Sequence, residues 1–164
     1  MYQASVPIFV QSLTALSEIL DKAAAQAVAK KFEPAALLTA RLYPDMFPFS
    51  KQVQLTGDFA KNTAARLAGA DILKFEDTET SFEQLMTRVA KTLQYLKTFK
   101  PEQIDGSEER DITFPVGGQP RTFKGQGYLQ HFALPNFFFH YTTAYAILRH
   151  SGIELGKRDF IGSS

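Results

Sequence analysis

LPNFFFHYTTAYAILRH, residues 134–150, decides the fold. Advancing about 100° per residue places Asn136, Phe139, His140, Thr143, Ala144 and Ile147 on one broad arc. Phe137, Leu148, Tyr141, Leu134, Tyr145 and Phe138 widen that arc. Only a narrow strip with His131, Thr142 and Arg149 is left for solvent. A helix apolar nearly all round is buried on two sides. One side belongs to the core, and the other meets a second copy of the chain, the hairpin or the tail. Asn136 and His140 sit inside the apolar arc, one turn apart. Left unpaired when buried, each would cost roughly 1–3 kcal/mol. They therefore need partners: each other, a tyrosine, water or a metal. Pro135 is expected to kink this helix and free a carbonyl upstream.

Working outward, the helix is predicted from about Tyr128 to His150, with Gly152 as its cap. Before it, Ile112, Phe114 and Val116 alternate, Gly117-Gly118 turns the chain, and Arg121 to Lys124 return. That pattern predicts a β-hairpin packed on the helices. Three more long helices precede the hairpin. The first runs over about residues 4–29, with Val6, Phe9, Leu13, Leu16 and Leu20 at spacings of three and four. The second covers 49–69, with an inward face of Phe49, Val53, Thr56, Gly57, Ala60, Ala64 and Leu67 and a stop at Gly69. The third opens on Thr80-Ser81-Phe82-Glu83, read as a capping box with Thr80 as cap, and ends before Pro101. A short helix is expected within FEPAALLTARL, residues 32–42. Four amphipathic helices and one hairpin inserted before the last predict an all-α, up-down four-helix bundle. It forms a single domain over residues 1–164.

The bulk numbers exclude several functions. The chain has 18 basic and 17 acidic residues, a net charge of +1. No basic cluster suits a polyanion, so nucleic acid is not expected as a partner. With no cysteine, thiolate catalysis, iron–sulfur clusters and Cys-type zinc sites are excluded. No run of roughly 20 apolar residues spans a bilayer. MYQASVPIF has no basic, signal-like start. A cytoplasmic protein without a membrane partner is expected. No phosphate loop, dinucleotide fingerprint or H-E-x-x-H motif occurs.

ARLYPDMFPFSKQVQ (40–54), TFKGQGYLQHFALPNFFFHYTTAYAILRHSG (122–152) and LGKRDFIG (155–162) carry a resemblance. With the order of elements, they resemble a bacterial family of unknown function within the DinB/YfiT-like superfamily. Many members of that superfamily bind a divalent metal through three histidines, one in the second long helix and an H-x-x-x-H pair in the last. Some are thiol-dependent transferases or isomerases. Mapped here, the pair becomes Asn136-x-x-x-His140, and the second helix holds no histidine. Its inward polar options are Gln52 and Thr56. Asp45 lies just upstream, and Asp58 falls off the inward face. The resemblance therefore implies a degraded site. If a divalent metal is held, the set is His140, Asn136 and Asp45; no other cofactor is implied.

Two functions follow as expectations. In one, the chain is a small-molecule binder or enzyme with His140 as general acid or base, because its unperturbed pKa lies near neutrality. Asn136, Phe139, Thr143, Tyr145, Gln52 and Thr56 line the pocket. In the other, it is a non-catalytic homodimer whose two-sided, aromatic last helix forms the contact. Lys157-Arg158-Asp159 followed by Phe160-Ile161 reads as charged surface plus an apolar anchor.

Overall fold

The computed structural model describes residues 1–162. Helix α1 spans Val6–Ala29, with Pro7 in its first turn, where a missing N–H goes unnoticed. Its expected stripe is buried, joined by Ile19, Ala23 and Ala27. Helix α2 is shorter than expected, Pro34–Thr39. Pro34 takes the first helical position, and the chain reaches it through Lys31 at φ +57°. Ala40 turns to extended backbone and ends it.

Helix α3 runs Phe49–Ala68 and stops at Gly69, φ +67°. The Ala70 N–H donates to the Ala65 carbonyl and the Gly69 N–H to the Arg66 carbonyl. This left-handed closure favours a residue without Cβ, and a Cβ at Gly69 would also meet Arg110 Nη1 at 2.9 Å. Helix α4 spans Phe82–Leu96. Its cap lies one residue later than expected: Ser81 Oγ accepts from the Gln84 N–H, and Gln84 Oε1 accepts from the Thr80 N–H. A four-residue helix, α5 (Pro101–Ile104), was not expected.

Strands β1 (Asp111–Val116) and β2 (Gln119–Lys124) pair antiparallel, Ile112 opposite Phe123 and Phe114 opposite Arg121. Gly117 and Gly118 both have positive φ, as a two-residue hairpin turn requires. The aromatics of the hairpin's inner face seat it. Phe114 lies 5.4 Å from Tyr128 and 5.3 Å from Phe132, and Phe123 lies 5.4 Å from Phe132.

The last long helix begins earlier than expected. Helix α6 (Gly125–Tyr128) passes through a π-helical turn, Leu129–Ala133, into α7, Leu134–His150. The Leu134 N–H reaches back five residues to the Leu129 carbonyl. Pro135 has no N–H to continue the ordinary ladder, and the widened turn absorbs the mismatch. The tail folds as α8, Lys157–Ile161.

Helix α3 packs on α7 and α4, and α1 packs on α4 and α8. The small residues of α3 allow close approach: a Cβ added at Gly57 would lie 3.4 Å from Thr92 of α4. Phe9 of α1 meets Phe137 of α7 edge-on at 4.8 Å within the core. No helix among the described residues is long and apolar enough to cross a membrane.

Candidate functional site around His140

His140 faces the interior from α7 and is only 8% exposed. Its partner is not Asn136. Nδ1 lies 2.8 Å from Oε1 of Gln52, a buried residue in the first turn of α3. The Gln52 Nε2 donates to the Phe47 carbonyl at 3.2 Å. A carbonyl only accepts, so the amide orientation is set and Oε1 faces the imidazole. The proton therefore sits on Nδ1.

The other ring nitrogen, Nε2, has no protein partner among the described residues, yet it is not sealed from solvent. The Phe59 ring stacks on the imidazole at 5.5 Å and 18°, and the Phe139 ring meets it edge-on at 5.2 Å. Burial, and then the nearby Lys51 ammonium, push the His140 pKa below its ordinary 6.5. At neutral pH the ring is uncharged, with a lone pair on Nε2. That atom can accept a hydrogen bond or a proton.

The other expected residues divide. The half-buried Asn136 donates through Nδ2 to the Phe132 carbonyl at 2.7 Å, inside the widened turn. Thr56 bonds the Gln52 carbonyl and Thr143 the Phe139 carbonyl, each one turn back on its own helix. Their hydroxyl protons are thereby committed. Phe139 is 55% exposed and forms rim rather than lining. Tyr145 packs edge-on against Phe160 of α8 at 5.6 Å, serving the tail instead. Asp45 is exposed in the loop before α3, and Arg41 donates to the Met46 carbonyl. The described residues contain no group of three or more His, Cys, Asp or Glu placed to hold a metal ion.

Sequence reasoning missed a second polar centre. Arg88 of α4 is 3% exposed. It reaches Asp58 at 3.0 Å, Asp77 at 2.9 Å and Glu79 at 3.0 Å. Lys61, also 3% exposed, adds Asp58 at 3.2 Å and the Asn62 side-chain carbonyl at 2.8 Å. Gln54 donates to Glu79, and Lys51 pairs with Asp77. Burial depresses the Lys61 pKa, with Asp58 opposing. Burial would raise Asp77, but Lys51 and Arg88 outweigh it and hold the carboxyl below its usual range. The network ties the irregular connection 70–80 to α3 and α4. The signal was present: positions 61 and 88 fall among the apolar residues of their helices.

Three comparisons bear on this chain. A family model described as "Domain of unknown function (DUF1993)" matches residues 1–161. No curated protein matches. A crystal structure described as a DinB family member protein from Shewanella denitrificans superposes with a TM-score of 0.93 at 38% identity, covering 99% of this chain and 92% of that one.

Proposed function

The chain belongs to the DUF1993 family of unknown function, and on that premise we propose that it is an up-down four-helix bundle of DinB/YfiT-like type that binds a small molecule at His140. The observation that carries this is the 2.8 Å bond from His140 Nδ1 to Gln52. It holds the imidazole as the tautomer that offers Nε2. A side chain that bonds one ring nitrogen fixes which tautomer the ring adopts and what the other nitrogen offers. Nε2 serves as hydrogen-bond acceptor or general base for a ligand entering past Phe139, which is more than half exposed. A cytoplasmic setting belongs to the same reading.

The donors present do not suit a resident divalent metal. Zinc sites take three or four protein ligands, and here His140 offers one imidazole nitrogen with no cluster of further His, Cys, Asp or Glu beside it among the described residues. Elemental analysis of purified, untagged protein beside His140→Ala tests this. The expected result is no stoichiometric divalent metal in either. Near-stoichiometric metal in the parent, lost in the variant, would make His140 a ligand and overturn the acceptor reading.

The exposed aromatics support a second reading, a homodimer closing over His140. Phe139, whose ring meets the imidazole edge-on, is 55% exposed, and Phe47, whose carbonyl holds Gln52, is 53% exposed. Sedimentation would then give a two-chain mass, reduced to one chain in Phe139→Ser. A one-chain mass for the parent at high micromolar concentration removes this reading.

A further inference from the structure

A cleft of about 240 Å³ lies between α3 and the hairpin. Leu55, Phe59, Asn62 and Arg66 share one face of α3 at spacings of three and four, and form one wall. Phe114, Pro115 and Val116 at the end of β1 form the other, with Phe132 completing the lining. Asp58 also lines the cleft, its charge offset by Arg88 and Lys61, which both meet Oδ1.

Arg66 has no carboxylate partner among the described residues. Its guanidinium lies 4.0 Å from the Phe114 ring centre, and Nη1 donates to the Tyr128 hydroxyl at 3.0 Å. The remaining donors of the fork are unassigned. Asn62, one turn earlier, uses its side-chain carbonyl to accept from Lys61, so its NH₂ group is available to donate. Two sets of donors thus converge beside three phenylalanine rings. A guanidinium fork with an adjacent amide suits a carboxylate. The rings suit a flat apolar body. The volume lies below the 300–1,000 Å³ usual for drug-sized ligands, which limits the body to about one ring.

We propose that this cleft binds a small single-ring carboxylate, its anionic group held by Arg66 and Asn62 and its ring placed among Phe59, Phe114 and Phe132. The inference goes beyond the role given to His140 and does not depend on it. Phe59 touches both places.

Benzoate is the test ligand, with benzyl alcohol as the neutral ring and acetate as the anion without a ring. Binding is followed by two-dimensional NMR on the full chain. The expected result is saturable benzoate binding at least tenfold tighter than either control, with shifts at Asn62, Arg66 and residues 114–116. Asn62→Asp keeps an acceptor for Lys61 and places a negative charge at the carboxylate position. It should fold and weaken benzoate at least tenfold, while benzyl alcohol changes less than threefold. Arg66→Lys should also weaken benzoate by losing the fork. Benzoate no tighter than benzyl alcohol, no saturable binding, or an unchanged affinity in a folded Asn62→Asp protein would each overturn the proposal.

Discussion

Gln52 acts on His140 by filling one ring nitrogen and leaving the other free. Gln52→Leu removes the acceptor and strands a buried N–H. The expected cost is about 1–3 kcal/mol, read as a lower urea midpoint with an unchanged slope. Gln52→Glu keeps an acceptor and adds a negative charge, so the His140 pKa should rise, as followed by NMR titration. Stability should depend on pH with a definite sign. Burial lowers the folded-state pKa of His140 below 6.5. As pH falls below 6.5, the unfolded chain takes up the proton first, and the native state loses stability until pH drops beneath the folded-state pKa. A His140→Gln variant should lose that part of the acid-side decline in urea melts at pH 5 and 7. The sequence exposed His140 as an inward polar residue and Gln52 as an inward residue of α3. It did not show that they meet, because nothing local fixes the rotation of α3 against α7. Asn136, one turn away, was one of the partners its spacing allowed. The widened turn supplied it with a backbone carbonyl instead.

At the scale of elements, the hairpin and α4 are held by contacts that spacing alone does not reveal. Gly125 joins β2 to α6, and a Cβ there would come within 1.9 Å of the Ser107 carbonyl oxygen. Backbone cannot move aside as a side chain does. Gly125→Ala should cost about 3 kcal/mol, the upper end for overpacking, with loss of hairpin contacts seen as exchange of the β1 amides. Arg88→Met would leave three carboxylates without their shared cation. Breaking a buried pair costs roughly 3–5 kcal/mol. Here Asp58, Asp77 and Glu79 keep 25%, 37% and 12% of their side-chain surface, which lowers the expectation to about 2–3 kcal/mol. Thermal unfolding measures it, and a change under 0.5 kcal/mol would mean the network contributes nothing. The long helices were legible because their periodicity is local. The shift of the α4 cap to Ser81 was not, since Thr80 and Ser81 offer equivalent hydroxyls and only the backbone path chooses between them.

Over the whole molecule, the second apolar face of α7 finds its cover within the chain. Phe160 of α8 stacks on Tyr141 at 4.3 Å and 15°, and the Tyr141 hydroxyl donates to the Phe160 carbonyl. Asp159 pairs with Lys22 of α1. The apolar anchor expected in the tail is therefore Phe160, while Ile161 stays 47% exposed. Phe160→Ala should cost about 2 kcal/mol, less than the 3–5 for a fully buried ring, and should increase proteolysis of the tail. The tail's docking could not be read from residues 155–162 alone, because its receptor is assembled from α1 and α7, far away in sequence.

The most direct measurement is long-range nitrogen–proton NMR of the His140 ring at pH 7. The expected result is a neutral ring protonated at Nδ1, with Nε2 bare. A ring protonated at Nε2, or charged at pH 7, would contradict the role given to Gln52 and with it the proposed site.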